Sequence, residues 1–173
     1  MAISCPEADE IPAKHGTYAL LLFCPRPKKL RIGRLGVHPV AQGWYVYLGS
    51  AFASGGLRAR CRHHLRQLRR PRWHIDYLRP AASLQEIWFT SDSVPREHQW
   101  AEIIRGLSRA GMPIPGFGSS DCICPAHLMY FPYRPLLSNF QRSLHRLITA
   151  HDPIMSIGAI EGRPPRQSSE NAL

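Results

Sequence analysis

From Thr17 to Cys24 the chain is continuously apolar, and Pro25 and Pro27 end the run. A short uninterrupted apolar stretch predicts a strand buried on both faces. Leu30 to Leu35 alternates apolar residues with Arg31 and Arg34 around Gly33, which predicts a partner strand across a Pro-Arg-Pro-Lys-Lys turn. Gly43 to Gly49 predicts a third strand, with Tyr45 and Tyr47 on one face and Trp44, Val46 and Leu48 on the other. Links this short imply an antiparallel meander.

After Gly55-Gly56 the period changes. Leu57, Cys61, Leu65 and Leu68 recur at helical spacing, predicting a helix over Leu57 to Arg70 that Pro71 ends. Trp73 to Leu78 reads as one or two further helical turns and Leu84 to Thr90 as a strand. Pro95 opens another helix, whose apolar stripe is Trp100, Ile103, Ile104 and Leu107 and which ends by Gly111. A Gly, Pro and Ser-rich loop spans Pro113 to Asp121, His127 to Phe131 predicts a last strand, and Ser138 to Ala150 an amphipathic helix. The mixed pattern places the chain in the α/β (α+β) class, with a small antiparallel sheet flanked by helices. It divides into a flexible lead-in (1–15), a core domain (16–132), a C-terminal helical extension (133–160) and a disordered tail (161–173).

At 173 residues the chain is sized for one domain, and 44% hydrophobic against 20% charged residues excludes wholesale disorder. The longest apolar run, Tyr18 to Cys24, falls far short of the about 20 residues a membrane span needs. The acidic N-terminus (Glu7, Asp9, Glu10) is unlike a secretory or transit signal, and five cysteines without framework spacing suit reduced thiols. A cytoplasmic protein with no membrane partner is expected. Its formal charge of +10 favours polyanions, nucleic acid first among them.

The charge is densest on the first helix. Eight arginines lie between Arg58 and Arg79, with no Asp or Glu from Arg58 to Arg72. On a helical wheel Leu57, Cys61, His64 and Leu68 form the inward line, while Arg58, Arg62, Arg66 and Arg69 point outward. With Arg70, Arg72 and the aromatic Trp73 they form a candidate nucleic-acid-binding face, backbone contacts from the arginines and stacking from the indole. Arg60 stands apart, on the other flank of the apolar stripe one turn before His64, where the pair could hold a phosphate. In the helix after Pro95, Glu97 sits at the rim of the apolar face and Glu102 well outside it. Asp121, Cys122, Cys124 and His127 form a candidate structural loop. Its Cys-x-Cys-x-x-His spacing is outside the common zinc patterns and offers three soft donors, so zinc is not expected. His98, His145 and His151 have no partner near them in sequence.

Gly16-Thr17-Tyr18 on a first strand, Tyr47-Leu48-Gly49 on a later one, then Arg60, His64 and Glu97 on successive helices: this order resembles the GIY-YIG nuclease superfamily. More narrowly, His74-Ile75-Asp76-Tyr77-Leu78 and Gly116-Phe117-Gly118-Ser119-Ser120-Asp121-Cys122 resemble an uncharacterised branch found stand-alone or fused to endonuclease III. The resemblance covers about Gly16 to Phe131. It implies a three-stranded antiparallel sheet flanked by helices, here with an extra C-terminal strand and helix. It also implies an endonuclease that hydrolyses phosphodiester bonds in DNA with one divalent metal, Mg²⁺ or Mn²⁺, in repair or recombination given the fusion partners. By the same resemblance Tyr47 activates the attacking water with Tyr18 beside it, Arg60 stabilises charge on the phosphate, His64 takes the position that is Tyr or His in the superfamily, and Glu97 holds the metal. The chain departs from the pattern at Ser50, where many members carry Lys, and at Arg109, where an Asn is often found. RNA stays open as a substrate. The alternative from another class is a non-catalytic nucleic-acid-binding module on the same fold, using the basic helix from Arg58 to Arg72.

Overall fold

The computed structural model describes residues 9–66 and 70–158. Its centre is β1 (Thr17–Cys24), all eight residues of which are buried. β1 pairs antiparallel with β4 (Gly43–Ser50) from Thr17↔Ser50 to Cys24↔Gly43, and on its other side with β5 (Ser83–Thr90) from Thr17↔Thr90 to Phe23↔Ser83. Two four-residue strands, β6 (Leu128–Phe131) and β7 (Met155–Gly158), close the edges, giving a five-stranded antiparallel sheet of order β6-β4-β1-β5-β7.

Side chains alternate across this sheet and each face has its own core. Tyr18, Leu20 and Leu22 face Leu57, Cys61, Ile75 and Leu78, from α1 (Gly56–Leu65) and α2 (His74–Leu78). Ala19, Leu21 and Phe23 lie on the other face with Trp88, and there Trp100, Ile104, Phe140 and Leu144 cover the sheet from α3 (Glu97–Arg105) and α4 (Leu137–Leu147). The expected class is observed: helices on both faces of an antiparallel sheet, four of them among the described residues. None of these is long and apolar enough to cross a membrane.

Four expectations are corrected. The predicted partner strand over Leu30 to Leu35 does not join the main sheet: Lys28–Arg31 (β2) pairs with Val37–Val40 (β3) as a separate hairpin, and β4 takes the place beside β1. A neighbour of β1 must be buried on both faces, which a strand carrying Lys28, Lys29 and Arg31 cannot be. Gly33 and Gly36, both at positive φ, turn the chain back through a short 3-10 helix. The first helix stops at Leu65, and Arg66 is already extended (φ −93°, ψ 137°); Leu68 and Arg69 lie outside the described residues. The C-terminal extension is more than helical, because β7 pairs with β5 from Glu86↔Gly158 to Phe89↔Met155. The tail expected over 161–173 lies outside the described residues.

The fourth correction concerns residues 9–15 of the expected flexible lead-in, 1–8 lying outside the described residues. Ile11 is 0% exposed and part of the core on the α1 side. The carbonyls of Lys14 and Pro12 accept from the N–H groups of Leu57 (2.8 Å) and Arg58 (3.2 Å), satisfying donors that the first turn of α1 leaves without helical partners. Gly56 (φ +56°) permits the approach, since a Cβ there would lie 2.3 Å from the Lys14 carbonyl oxygen. Truncating Ile11→Ala should therefore cost about 2–5 kcal/mol in urea unfolding. A shift within about 0.5 kcal/mol, as expected of an exposed residue, would show that the segment is not packed.

Candidate active site

Tyr18 and Gly49 are direct cross-strand neighbours near one end of β1 and β4. A Cβ on Gly49 would lie 2.3 Å from both the Cζ and the hydroxyl oxygen of Tyr18, so only glycine leaves room for the ring. Gly118 (φ +73°) plays the same part for Tyr47, whose Cε2 would lie 2.8 Å from an added Cβ. Thr17 fixes the third element: its Oγ1 accepts from the Arg96 N–H at 3.0 Å, which brings the start of α3, and so Glu97, to this end of the sheet. Arg96 is held in turn by Asp92 (Nε to Oδ2, 2.8 Å) and donates to the Ala150 carbonyl at 2.7 Å.

These approaches enclose an open cleft of about 490 Å³ lined by Tyr18, Tyr47, Arg60 and Glu97, together with Ser50, Arg72, Trp73, His74 and Asp121. His64 stands directly behind it, 1% exposed, with Nε2 2.8 Å from the Tyr18 hydroxyl. The five residues singled out for chemistry, far apart in sequence, thus share one place. A second cleft of about 410 Å³, between the end of α3 and α4, carries Arg109, Arg134, Arg142 and Arg146 but no acid or histidine. Arg109 therefore lies away from the candidate site.

Burial, reinforced by the carboxylates of Glu97 and Asp76 and opposed by Arg60, pushes the Tyr47 hydroxyl well above its usual range. Tyr18 is raised too, first by burial and then by Tyr47 and Cys61. His64 moves the other way: burial first, then His63, Arg79 and Arg60, hold it well below its usual value and keep it neutral. Its Nδ1 has no hydrogen-bond partner. Placing the proton on Nε2 leaves only a lone pair unpaired there, the cheaper orphan, and frees the Tyr18 O–H for the cleft.

Trp73 does not stand open for stacking. The guanidinium of Arg60 lies 4.6 Å from its ring centroid, that of Arg72 5.2 Å, and the His63 ring 4.1 Å. Its backbone is pinned by Asp76, whose Oδ2 accepts from the N–H groups of Arg72 (2.8 Å) and Trp73 (2.9 Å). Trp73 is thus the platform that orients Arg60. The outward arginines divide: Arg58 donates to the Ile11 carbonyl at 2.8 Å and Arg62 pairs with Asp9, while Arg66, Arg70 and Arg72 are exposed. Arg69 lies outside the described residues.

The loop after α3 also differs from expectation. Asp121 lines the cleft, and the remaining trio gains His98, the second residue of α3, whose Nδ1 lies 2.9 Å from Cys124 Sγ. His127 Nε2 is 3.5 Å from Cys122 Sγ, and its Nδ1 is 2.8 Å from Glu97 Oε1, close but off the direction of a hydrogen bond. His98 and His74 are the site residues missed by sequence reasoning. His98 adjoins Glu97 but meets its cysteine partner only across the fold; His74 lies in a motif already singled out, and its Nδ1 accepts from the Gly118 N–H at 2.9 Å.

Residues 17–149 match a family model described as a domain of unknown function, DUF123. The chain belongs to the DUF123 family. No curated protein and no solved structure matches it. The DUF123 span runs from the first residue of β1 to just beyond α4, and so contains every residue of the cleft and of the Cys/His loop.

The buried histidine of this DUF123 domain has a measurable signature. Because its folded value lies below the unfolded one of about 6.5, the unfolded chain takes up the proton first, and stability declines as pH falls below that point. The urea midpoint should therefore drop between pH 7.5 and 5.5, and His64→Gln should shrink that drop. An equally steep decline in the variant would mean that His64 titrates normally.

Proposed function

We propose that this DUF123 domain is a GIY-YIG-type endonuclease that hydrolyses phosphodiester bonds in DNA with one divalent metal. The supporting observation is the convergence of Tyr18, Tyr47, Arg60 and Glu97 on one cleft, with His64 behind Tyr18. The donor chemistry suits a hard cation. Glu97 and Asp121 offer carboxylate oxygens in an open cleft, and Mg²⁺ or Mn²⁺ tolerates few protein ligands when water and phosphate supply the rest. When bound at Glu97, the ion would supply Lewis-acid stabilisation of charge developing on the phosphate.

The chain's own residues divide the remaining work. Arg60, braced on the Trp73 ring, presents its guanidinium to a non-bridging phosphate oxygen, a charge-assisted contact that strengthens as negative charge accumulates. Tyr47 keeps its proton at neutral pH, so its part is to orient the attacking water through its hydroxyl. Neutral His64 fixes Tyr18 beside it. Arg72, which lines the cleft, and the exposed Arg66 and Arg70 give backbone contacts without sequence readout. The tightly held Tyr47 proton also favours a second reading, a DNA-binding module without cleavage.

Purified protein incubated with branched, flapped, nicked and plain duplex DNA at low salt should cut at least one structure with Mg²⁺ or Mn²⁺ and none with chelator. Glu97→Ala, Tyr47→Phe and Arg60→Ala should each lower the rate by about 10²-fold or more. Glu97→Ala should leave DNA affinity within about threefold. Salt-sensitive binding with no cutting under either metal would replace this reading with the binding module.

A further inference from the structure

Four soft donors meet beside the cleft from two separate pieces of chain. His98 comes from α3; Cys122, Cys124 and His127 come from the loop leading into β6. Their ligand atoms all lie within 4.8 Å of one another. Around a tetrahedral zinc ion, with Zn–S about 2.3 Å and Zn–N about 2.0–2.1 Å, donor atoms stand about 3.3–3.8 Å apart. The 3.5 Å contact between Cys122 and His127 already has that spacing, the 2.9 Å contact between His98 and Cys124 must open by about half an ångström, and no pair need close by more than about 1 Å.

We propose that His98, Cys122, Cys124 and His127 bind one Zn²⁺ ion, and that this ion positions Glu97 through His127. Two cysteines and two histidines form a closed Cys₂His₂ set, the chemistry of structural zinc and unlike the all-oxygen sites of Mg²⁺. The loop contains no regular secondary structure from Ser119 to His127; backbone hydrogen bonds from Gly116, to Phe117 and from Leu48 tie down Pro125 and His127, whereas Ile123, between the two cysteines, is fully exposed. A metal cross-link to α3 would fasten it.

The link to Glu97 follows from the two nitrogens of His127. Nε2 faces Cys122 inside the cluster and Nδ1 faces Glu97 Oε1 at 2.8 Å. Ligation through Nε2 would put the proton on Nδ1, and a small turn of the ring or the carboxylate would bring the 2.8 Å contact into line for Nδ1–H to donate to Glu97, as zinc-bound histidines commonly do to a carboxylate. One oxygen of Glu97 is then held by the zinc centre. This second half rests on the reading of Glu97 as the working carboxylate of the cleft; the zinc site does not.

Untagged full-length protein, purified without chelator, should carry about one zinc per chain by elemental analysis. Replacement by Co²⁺ should give a thiolate charge-transfer band and the intense visible bands of a tetrahedral site. The double variant Cys122→Ser/Cys124→Ser should lose the metal. Because losing a structural metal can unfold the variant, the wild-type chain serves as well: chelation should lower its Tm and zinc should restore it. Protein that takes up less than about 0.1 zinc per chain from excess, or a double variant that keeps its zinc, would overturn the site. So would an intact mass showing a Cys122–Cys124 disulfide in protein prepared under reducing conditions. Glu97→Gln should retain zinc but bind it about 10–100-fold more weakly. Unchanged affinity would remove the positioning of Glu97, and no outcome depends on DNA cleavage.

Discussion

The double burial of β1 governs the rest of the molecule. With neighbours on both edges and helices over both faces, its eight residues leave no polar backbone group to water, so the hydrogen bonds to β4 and β5 are obligatory. That requirement fixes the register, because a slip of one residue would exchange the two cores. Register in turn sets Tyr18 against Gly49, and the Thr17 hydroxyl brings α3 to the same end of the sheet. The cleft is a consequence of how β1 is buried.

Within the cleft two electrical characters sit side by side. Tyr18, Tyr47 and His64 are all held in their neutral forms by desolvation. Two guanidinium and two carboxyl side chains, those of Arg60, Arg72, Glu97 and Asp121, line its walls. The neutral residues shape and orient, while these four meet whatever enters. Trp73 joins these roles, since one aromatic surface carries both guanidinium groups while Asp76 anchors the backbone beneath it.

Much of this is legible along the chain, for reasons that differ by element. β1 is plain because burial on both faces removes the polar positions that would interrupt an apolar run. Arg60, His64 and Glu97 stand out because helical periodicity separates an inward face from its rim, and the cleft lies at that rim. The β2–β3 hairpin misleads because alternation shows only that one face is apolar and says nothing about which strand pairs with it. β7 gives almost no signal: four residues, three of them exposed, become a strand only because β5 has an unpaired edge beside them. The part played by Ile11 is likewise written in Gly56, whose missing Cβ makes sense only once Lys14 lies against it. His98 is invisible for a related reason, since its partners are reached through folding and not through spacing.

The shortness of β6 and β7 has a further effect. Each edge of the sheet ends in only four residues, and Glu86 on β5, tied to Arg134 at 2.7 Å and to Ser156 on β7, puts a carboxylate beside one of those edges. An unpaired edge so brief, bordered by charge, is a poor template for another chain's strand. The two edges of the main sheet therefore expose little backbone that a neighbouring strand could extend.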